Sequence, residues 1–136
     1  MHKRLLGIDY GDVRIGLAIS DPLGLTAQPV GTIQNTKTAI NEIIDIIKQK
    51  RVEKIIMGLP KNKAGDDSLK ATSVREFAKS LQDEYEIEIE FVDERFSTVA
   101  ATKQLHGLNI KAKGQRKIID TQAAMFFLQG VLDRKV

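Results

Sequence analysis

The sequence predicts an α/β domain built on a mixed five-stranded sheet with helices on its faces. Three observations carry that expectation. Apolar runs joined by short turns fill the first part of the chain. The hydrophobic period then lengthens from about 2 to about 3.6 residues. Two further short apolar runs follow, each set off by a segment of helical period, which is the pattern of αβ units.

Leu5-Leu6-Gly7-Ile8-Asp9 reads as a buried strand and Val13 to Ser20 as a second. Only Tyr10-Gly11-Asp12 lies between them, which predicts a tight hairpin. Asp21-Pro22-Leu23-Gly24 is a turn signal, and Ala27 to Ile33 completes an antiparallel meander. Ala39, Ile40, Ile43, Ile44 and Ile47 then recur at helical spacing, with Asn35 or Thr36 as the N-cap. Lys54 to Gly58 is a near-continuous apolar run, as expected of a parallel strand covered on both faces. Pro60 to Asp67 reads as a loop. Leu69, Val74, Phe77, Ala78 and Leu81 mark a second helix. Ile87, Ile89 and Phe91 alternate with Glu88 and Glu90 in a strand with one wet face. Ser97 caps a helix reaching about Leu105, Gly107 to Gly114 is a basic loop, and a final helix runs from about Arg116 to Asp133. Its apolar stripe comprises Ile119, Ala123, Phe126, Phe127 and Gly130. Phe126, Phe127 and Leu128 read as core packing rather than as a surface for stacking bases. The order is β-β-β-α-β-α-β-α-α.

Composition narrows the function. The chain has 136 residues, 42% of them hydrophobic and 29% charged, which suits one globular domain spanning 1–136. It has no cysteine, so disulfide scaffolds, thiolate nucleophiles and cysteine zinc sites are excluded, and a cytoplasmic location fits. Met1-His2-Lys3-Arg4 leads into an apolar run broken by Gly7 and Asp9, which is not a signal-peptide pattern. No apolar stretch approaches the ~20 residues that span a bilayer. The net charge of +3 says little by itself. Local clustering says more, because Lys111, Lys113, Arg116 and Lys117 stand together with no acid before Asp120.

Three acids hold the chemical interest. Asp9 closes an otherwise apolar strand; it is either a turn cap for the hairpin or a carboxylate held at a site. Asp93-Glu94-Arg95 follows the last strand, where ligand sites of such sheets gather; a solvated loop with Arg95 pairing an acid is the plainer reading. Asp120 sits early in the last helix, where it favours the helix dipole by roughly 0.3–1 kcal/mol. Ala123 and Ala124 after it would let that helix approach the sheet closely and aim Asp120 inward. Two such carboxylates ~4 Å apart would repel by about 4 kcal/mol at an effective dielectric near 20. A cation between them removes that cost. Oxygen-only ligands favour Mg²⁺ or Mn²⁺, and such ions serve phosphodiester hydrolysis.

The same segments bear a resemblance. Gly7-Ile8-Asp9-Tyr10-Gly11 with Arg14-Ile15-Gly16 and Ala18, Gly58-Leu59-Pro60 with Asn62 and Gly65, Asp93-Glu94-Arg95-Phe96-Ser97-Thr98 with Ala101, and Lys117-Ile118-Ile119-Asp120 with Ala123-Ala124 occur in order along nearly the whole chain. In these the sequence resembles the YqgF family, also called RuvX or pre-16S ribosomal RNA nuclease, within the ribonuclease H-like superfamily. The resemblance implies a ribonuclease H-like fold and catalytic, metal-binding acids at Asp9, Glu94 and Asp120. It departs from related junction resolvases at Ala123, where those often carry a further acid. The Lys61-Asn62-Lys63-Ala64-Gly65 loop is also more basic than the family leads one to expect.

Arg14, Lys61, Asn62, Lys63, Arg95, Lys111, Lys113, Arg116 and Lys117 are the candidate nucleic-acid contacts. Each alone is an ordinary surface residue; six phosphate contacts together would give a salt slope of roughly −5 on duplex DNA. Ser97 reads as a helix cap, and His2 and His106 as surface residues. Four functions stay open: processing of the 5′ end of the small-subunit rRNA precursor, which the resemblance favours; Holliday junction cleavage on branched DNA; phosphotransfer; and RNA binding without catalysis. Oligomeric state, monomer or homodimer, is equally open.

Overall fold

The computed structural model describes residues 4–62, 64–94 and 113–134, with the backbone alone for 113–120. The three opening strands are β1 (Arg4–Tyr10), β2 (Arg14–Ser20) and β3 (Ala27–Gln34). Then follow α1 (Ala39–Lys50), β4 (Val52–Leu59), α2 (Leu69–Glu84), β5 (Glu88–Asp93) and α3 (Lys113–Asp133). The sheet order is β3-β2-β1-β4-β5. β1 pairs antiparallel with β2 and parallel with β4, and β4 pairs parallel with β5. The carboxyl ends of β1, β4 and β5 therefore share one edge of the sheet.

Alternation along the strands sorts the core into two layers. Leu6 and Ile8 of β1, Ile15, Leu17 and Ile19 of β2, and Ile55, Met57 and Leu59 of β4 pack against α1 and α2. Leu5, Ala18 and Ile56 face the other way, against Ala123, Ala124, Phe127, Leu128, Val131 and Leu132 of α3. Helices thus cover both faces, and β4 is buried on both, as its unbroken apolar run predicts.

Glycine sets how closely α3 lies. A Cβ on Gly7 would stand 2.7 Å from the Ala124 carbonyl oxygen and 3.0 Å from Leu128 Cβ. A Cβ on Gly58 would run into the Phe127 ring. Both glycines face α3, so the helix backbone comes down on the sheet at Gly7 and the Phe127 ring lies against it at Gly58. Gln129 ties α3 to the start of β3, accepting from Ala27 N–H at 2.8 Å and donating to the Leu25 carbonyl at 3.0 Å. At the far end Arg134 Nη2 meets Glu90 Oε2 at 2.6 Å, and Glu90 also meets Lys54 at 2.8 Å. Lys54 first holds Glu90's carboxyl below its usual range, and Arg134 adds to that.

The architecture agrees with the sequence reading; several local expectations need correcting. Thr38, not Asn35 or Thr36, is the N-cap of α1. Asn35 is engaged in the meander, donating to the Gly11 carbonyl at 2.8 Å and through its backbone to Val13. Leu69 is 94% exposed because it opens α2 before that helix reaches the sheet. α3 begins at Lys113, so Lys113 and Gly114 belong to its first turn rather than to a loop. Phe126 is not core: it stands 52% exposed while Phe127 and Leu128 are buried. Glu90 lies on a face that is only partly wet, since Arg134 and Lys54 cover it. The Ser97–Leu105 helix lies outside the described residues. Among those described, no helix is long and apolar enough to cross a membrane.

The two glycine environments on α3 and its partner strand predict opposite effects. Gly7→Ala should lower the unfolding free energy by about 1–3 kcal/mol, because backbone rather than a pliable side chain must yield. Gly130→Ala, whose Cβ meets nothing within 4 Å, should raise it by about 0.5–1 kcal/mol through helix propensity. Urea unfolding of both variants measures this.

Candidate active site

Asp9 sits one residue from the end of β1 and is 5% exposed, one of the two buried polar residues among those described. The other, Ser20, is used locally, where its hydroxyl accepts the Leu5 N–H at 2.9 Å. Asp9 shares the alternation of Leu5 and Gly7, so it lies on the α3 side of the sheet. Its partner on β2 is Gly16. On β4 the register that pairs Ile8 with Met57 brings Gly58 level with it. The flanking residues on the neighbouring strands, Gly16 and Gly58, carry no side chain to cover the carboxylate, and the Phe127 ring takes the space over Gly58. Isolated glycines inside strands often mark such a close approach.

α3 supplies the second wall. Gln129 meets β3 at Ala27, Gly7 meets Ala124, and Thr121, Gln122 and Met125 line a cleft with Pro29–Thr32. Ala27 pairs with Ser20, and Thr32 pairs with Gly16, the partner of Asp9. Lower-numbered residues of α3 thus lie nearer the Asp9 end, and the helix runs opposite to β1. From Gly7 to Asp9 is about 7 Å of strand; from Ala124 back to position 120 is about 6 Å of helix. The backbone of residue 120 is therefore level with Asp9, one turn before Ala124.

Glu94 follows the last residue of β5 and is half-buried. It stands two strands from β1, about 10 Å across the sheet, at the same carboxyl edge. Among the described residues no three metal-type side chains form a cluster. The Asp120 side chain lies outside that description, as do Lys63, Arg95 and Lys111; for Lys113, Arg116 and Lys117 the backbone alone is described, in the opening turns of α3. Arg14 opens β2 with the alternation of Gly16, on the Asp9 side and at the same edge.

The Pro60–Ser68 loop beyond β4 is closed by its own polar groups. Asn62 Oδ1 accepts from Ala64 and Asp66 N–H at 3.0 and 3.1 Å. Lys61 Nζ meets Asp67 at 2.6 Å, and Arg75 of α2 meets the same carboxylate at 2.6 Å. The Arg75 and Lys61 hydrogen bonds hold the Asp67 carboxyl down at about 2. Arg75 also lies over the Phe91 ring, 5.1 Å from its centre. This Asp67 clamp was missed by sequence reasoning, since its partners lie 6 and 8 residues away across a loop.

The family of the chain follows from comparison. The sequence profile described as "RuvX: Holliday junction resolvase" matches residues 3–134. The chain belongs to the RuvX family. Its relatives include proteins named "Putative pre-16S rRNA nuclease" from Clostridium tetani (strain Massachusetts / E88), 48% identical with 96% of each chain covered, and from Clostridioides difficile (strain 630), 44% identical with 98% of this chain and 96% of that protein covered. In structure, this RuvX chain is similar to Thermus thermophilus RuvC solved with a Holliday junction substrate. The TM-score is 0.61 at 11% identity, with 98% and 96% of the two chains covered. It also resembles the fowlpox virus resolvase solved with Holliday junction DNA, with a TM-score of 0.57 at 11% identity and 98% and 99% covered. At such identities the likeness is one of fold, and the fold is ribonuclease H-like.

The Asp67 clamp gives this RuvX chain an acid-sensitive loop. Its carboxyl is depressed in the folded state, so its contribution is complete above the unfolded value near 3.8 and is lost as pH falls through about 2. A carbon-detected NMR titration should place the Asp67 midpoint near 2. Arg75→Met should move it toward 3.8 by more than Lys61→Met does.

Proposed function

We propose that the chain is a Mg²⁺- or Mn²⁺-dependent nuclease that hydrolyses phosphodiester bonds, with Asp9, Glu94 and Asp120 as its metal-holding acids. The observation that carries this is the buried Asp9 carboxylate, placed at the carboxyl edge of three parallel strands and flanked by Gly16 and Gly58. Ligand sites of such sheets gather at the carboxyl ends of their strands, and a carboxylate enclosed there suits a bound cation. Carboxylate oxygens from a strand end, a second strand end and a helix suit a hard divalent ion. The level placement of residue 120 supports its joining Asp9.

Asp9 would anchor the ion rigidly, because its strand is fixed on both sides; Glu94 and Asp120 would complete the ligand set from the edge and from α3. When bound, the ion supplies polarisation of an attacking water and neutralisation of charge on the leaving oxygen. Arg14, on the same face and edge, would hold a phosphate oxygen of the substrate. Lys113, Arg116 and Lys117, in the first turns of α3, would add charge along the approach. Arg95, Lys63 and Lys111 remain candidates for the same role.

For substrate, the reading favoured is RNA processing at the 5′ end of pre-16S rRNA in the cytoplasm, by one nuclease domain spanning 1–136; the names of the relatives at 44–48% identity support it. Cleavage of Holliday junctions is the second reading, favoured by the description of the matching family.

Asp9→Asn keeps the side-chain shape and removes the charge. It should lower cleavage about a hundredfold or more, in keeping with several kcal/mol of lost transition-state stabilisation, and leave RNA binding in EDTA unchanged. Mn²⁺ should raise the melting temperature of the wild type and not that of Asp9→Asn. Cleavage that persists in the variant, or survives EDTA, would remove the proposal. Precursor RNA and a four-way DNA junction, offered side by side with Mg²⁺, separate the two substrate readings.

A further inference from the structure

Phe126 is a large aromatic that the fold leaves half in solvent, on a helix whose next residue, Phe127, is buried over Gly58. It borders a cleft of about 180 Å³ formed by Val92 and Asp93 of β5 with Phe127, Gly130 and Val131 of α3 and the adjacent Arg134. Phe126, Gly130 and Arg134 are spaced one helical turn apart, so they form a line about 12 Å long on one face of α3. At its middle, Gly130 opens a gap in which a Cβ would touch nothing within 4 Å. The line starts beside Asp93, at the sheet edge that carries Glu94, and leads away from it to the Arg134 guanidinium.

We propose that this cleft holds one unpaired nucleobase of the substrate strand, stacked on Phe126 over Gly130, with an adjacent phosphate on Arg134. The proposal rests on the nuclease reading above and deepens it, by assigning the strand a path away from the site.

Size, chemistry and polarity agree. The cleft has the space of roughly six waters, enough for a flat ring and too little for a base pair. Its walls are an exposed aromatic face and apolar side chains, which accept any base by its π-face. The acid at the inner end, Asp93, disfavours a phosphate there and accepts from base N–H groups. The cation at the outer end favours a phosphate. Arg134 is 58% exposed and directs one guanidinium nitrogen at Glu90; its other N–H groups can serve a phosphate oxygen. The base is thereby directed inward and the backbone outward. A duplex, whose bases are already stacked, gains nothing from Phe126.

The test is equilibrium binding in EDTA, so that no cleavage is needed, to a fluorescein-labelled 12-nucleotide single-stranded RNA and to the blunt duplex of the same sequence. Phe126→Leu keeps an apolar side chain and removes the ring; it should weaken single-strand binding roughly tenfold with duplex binding unchanged. Gly130→Leu should fill the gap and weaken single-strand binding equally, without lowering the melting temperature. The chain has no tryptophan, so Phe126→Trp introduces one reporter. Its fluorescence should be quenched by the single strand and not by the duplex, and its affinity should match or exceed the wild type. Single-strand affinity within twofold of wild type in both Phe126→Leu and Gly130→Leu overturns the proposal, as does equal loss on both probes. If that occurs while Asp9→Asn still abolishes cleavage, the cleft alone falls. Failure of the wild type to bind either probe removes the nuclease reading with it.

Discussion

α3 can rest on the sheet only because β1 and β4 present glycine to it. Gly7 meets the Ala124 carbonyl and Gly58 meets the Phe127 ring, so backbone lies against backbone at one point and ring against backbone at the other. That close approach has a cost, since glycine in a strand interior gives up side-chain packing and loses more chain entropy on folding. The return is positional. With α3 at this distance, the backbone of its opening turns comes level with the last residues of β1, as the proposed pairing of Asp9 with Asp120 requires. A helix held off by ordinary strand side chains would stand farther above Asp9 and work against the proposed site. The same spacing seats Phe127 and frees Phe126, so the outer cleft is a consequence of the inner contact.

Enclosing Asp9 opposes folding, and the surrounding core offsets it. An ionised carboxylate taken from water costs several kcal/mol after relaxation, while each fully buried Leu or Ile contributes about 1.5–3 kcal/mol. Leu6, Ile8, Ile15, Leu17, Ile55 and Ile56 are all fully buried around that strand. The apolar layers on both sides of β1 thus offset the enclosure of a polar group. The ion pairs of Arg134, Glu90 and Lys54 lie at the opposite end of α3 and are partly exposed, where their stabilisation is small. They link the end of α3 to β5 and β4.

Much of this was legible in the residues. Strand alternation, the change of period after Ile33 and the apolar run at β4 are local signals, and they place the sheet and its helices. Asp9 stood out because a carboxylate at the end of an apolar strand conflicts with its surroundings. What escaped was whatever depended on a distant partner. Asn35 looked like a helix cap, but the hairpin claimed its amide. Phe126 looked like core because helical periodicity locates a stripe only to within about one residue in each turn. Which of two adjacent phenylalanines is buried was decided by Gly58, far earlier in the chain. The small residues Ala123 and Ala124 hinted that residue 120 would come near the sheet, but its level with Asp9 follows from the direction of α3, which no local pattern gives.

The two phenylalanines also bear on how one helix can serve both fold and substrate. A helix that lies flat on a sheet buries only the stripe toward it, and the opposite face ordinarily carries charge. On α3 the lateral face toward β5 instead carries an aromatic ring, a gap and a cation, in that order from the acidic edge. Single exposed apolar side chains are ordinary; what sets Phe126 apart is its place on a cleft it shares with Gly130 and Arg134. Because α3 also carries Asp120, anything held along that face is held in a fixed relation to the proposed metal site. A strand gripped there could not slide relative to the acids without leaving Phe126. The cutting position would then be set by where an unpaired base occurs in the substrate, and RNA structure rather than base sequence would select the bond.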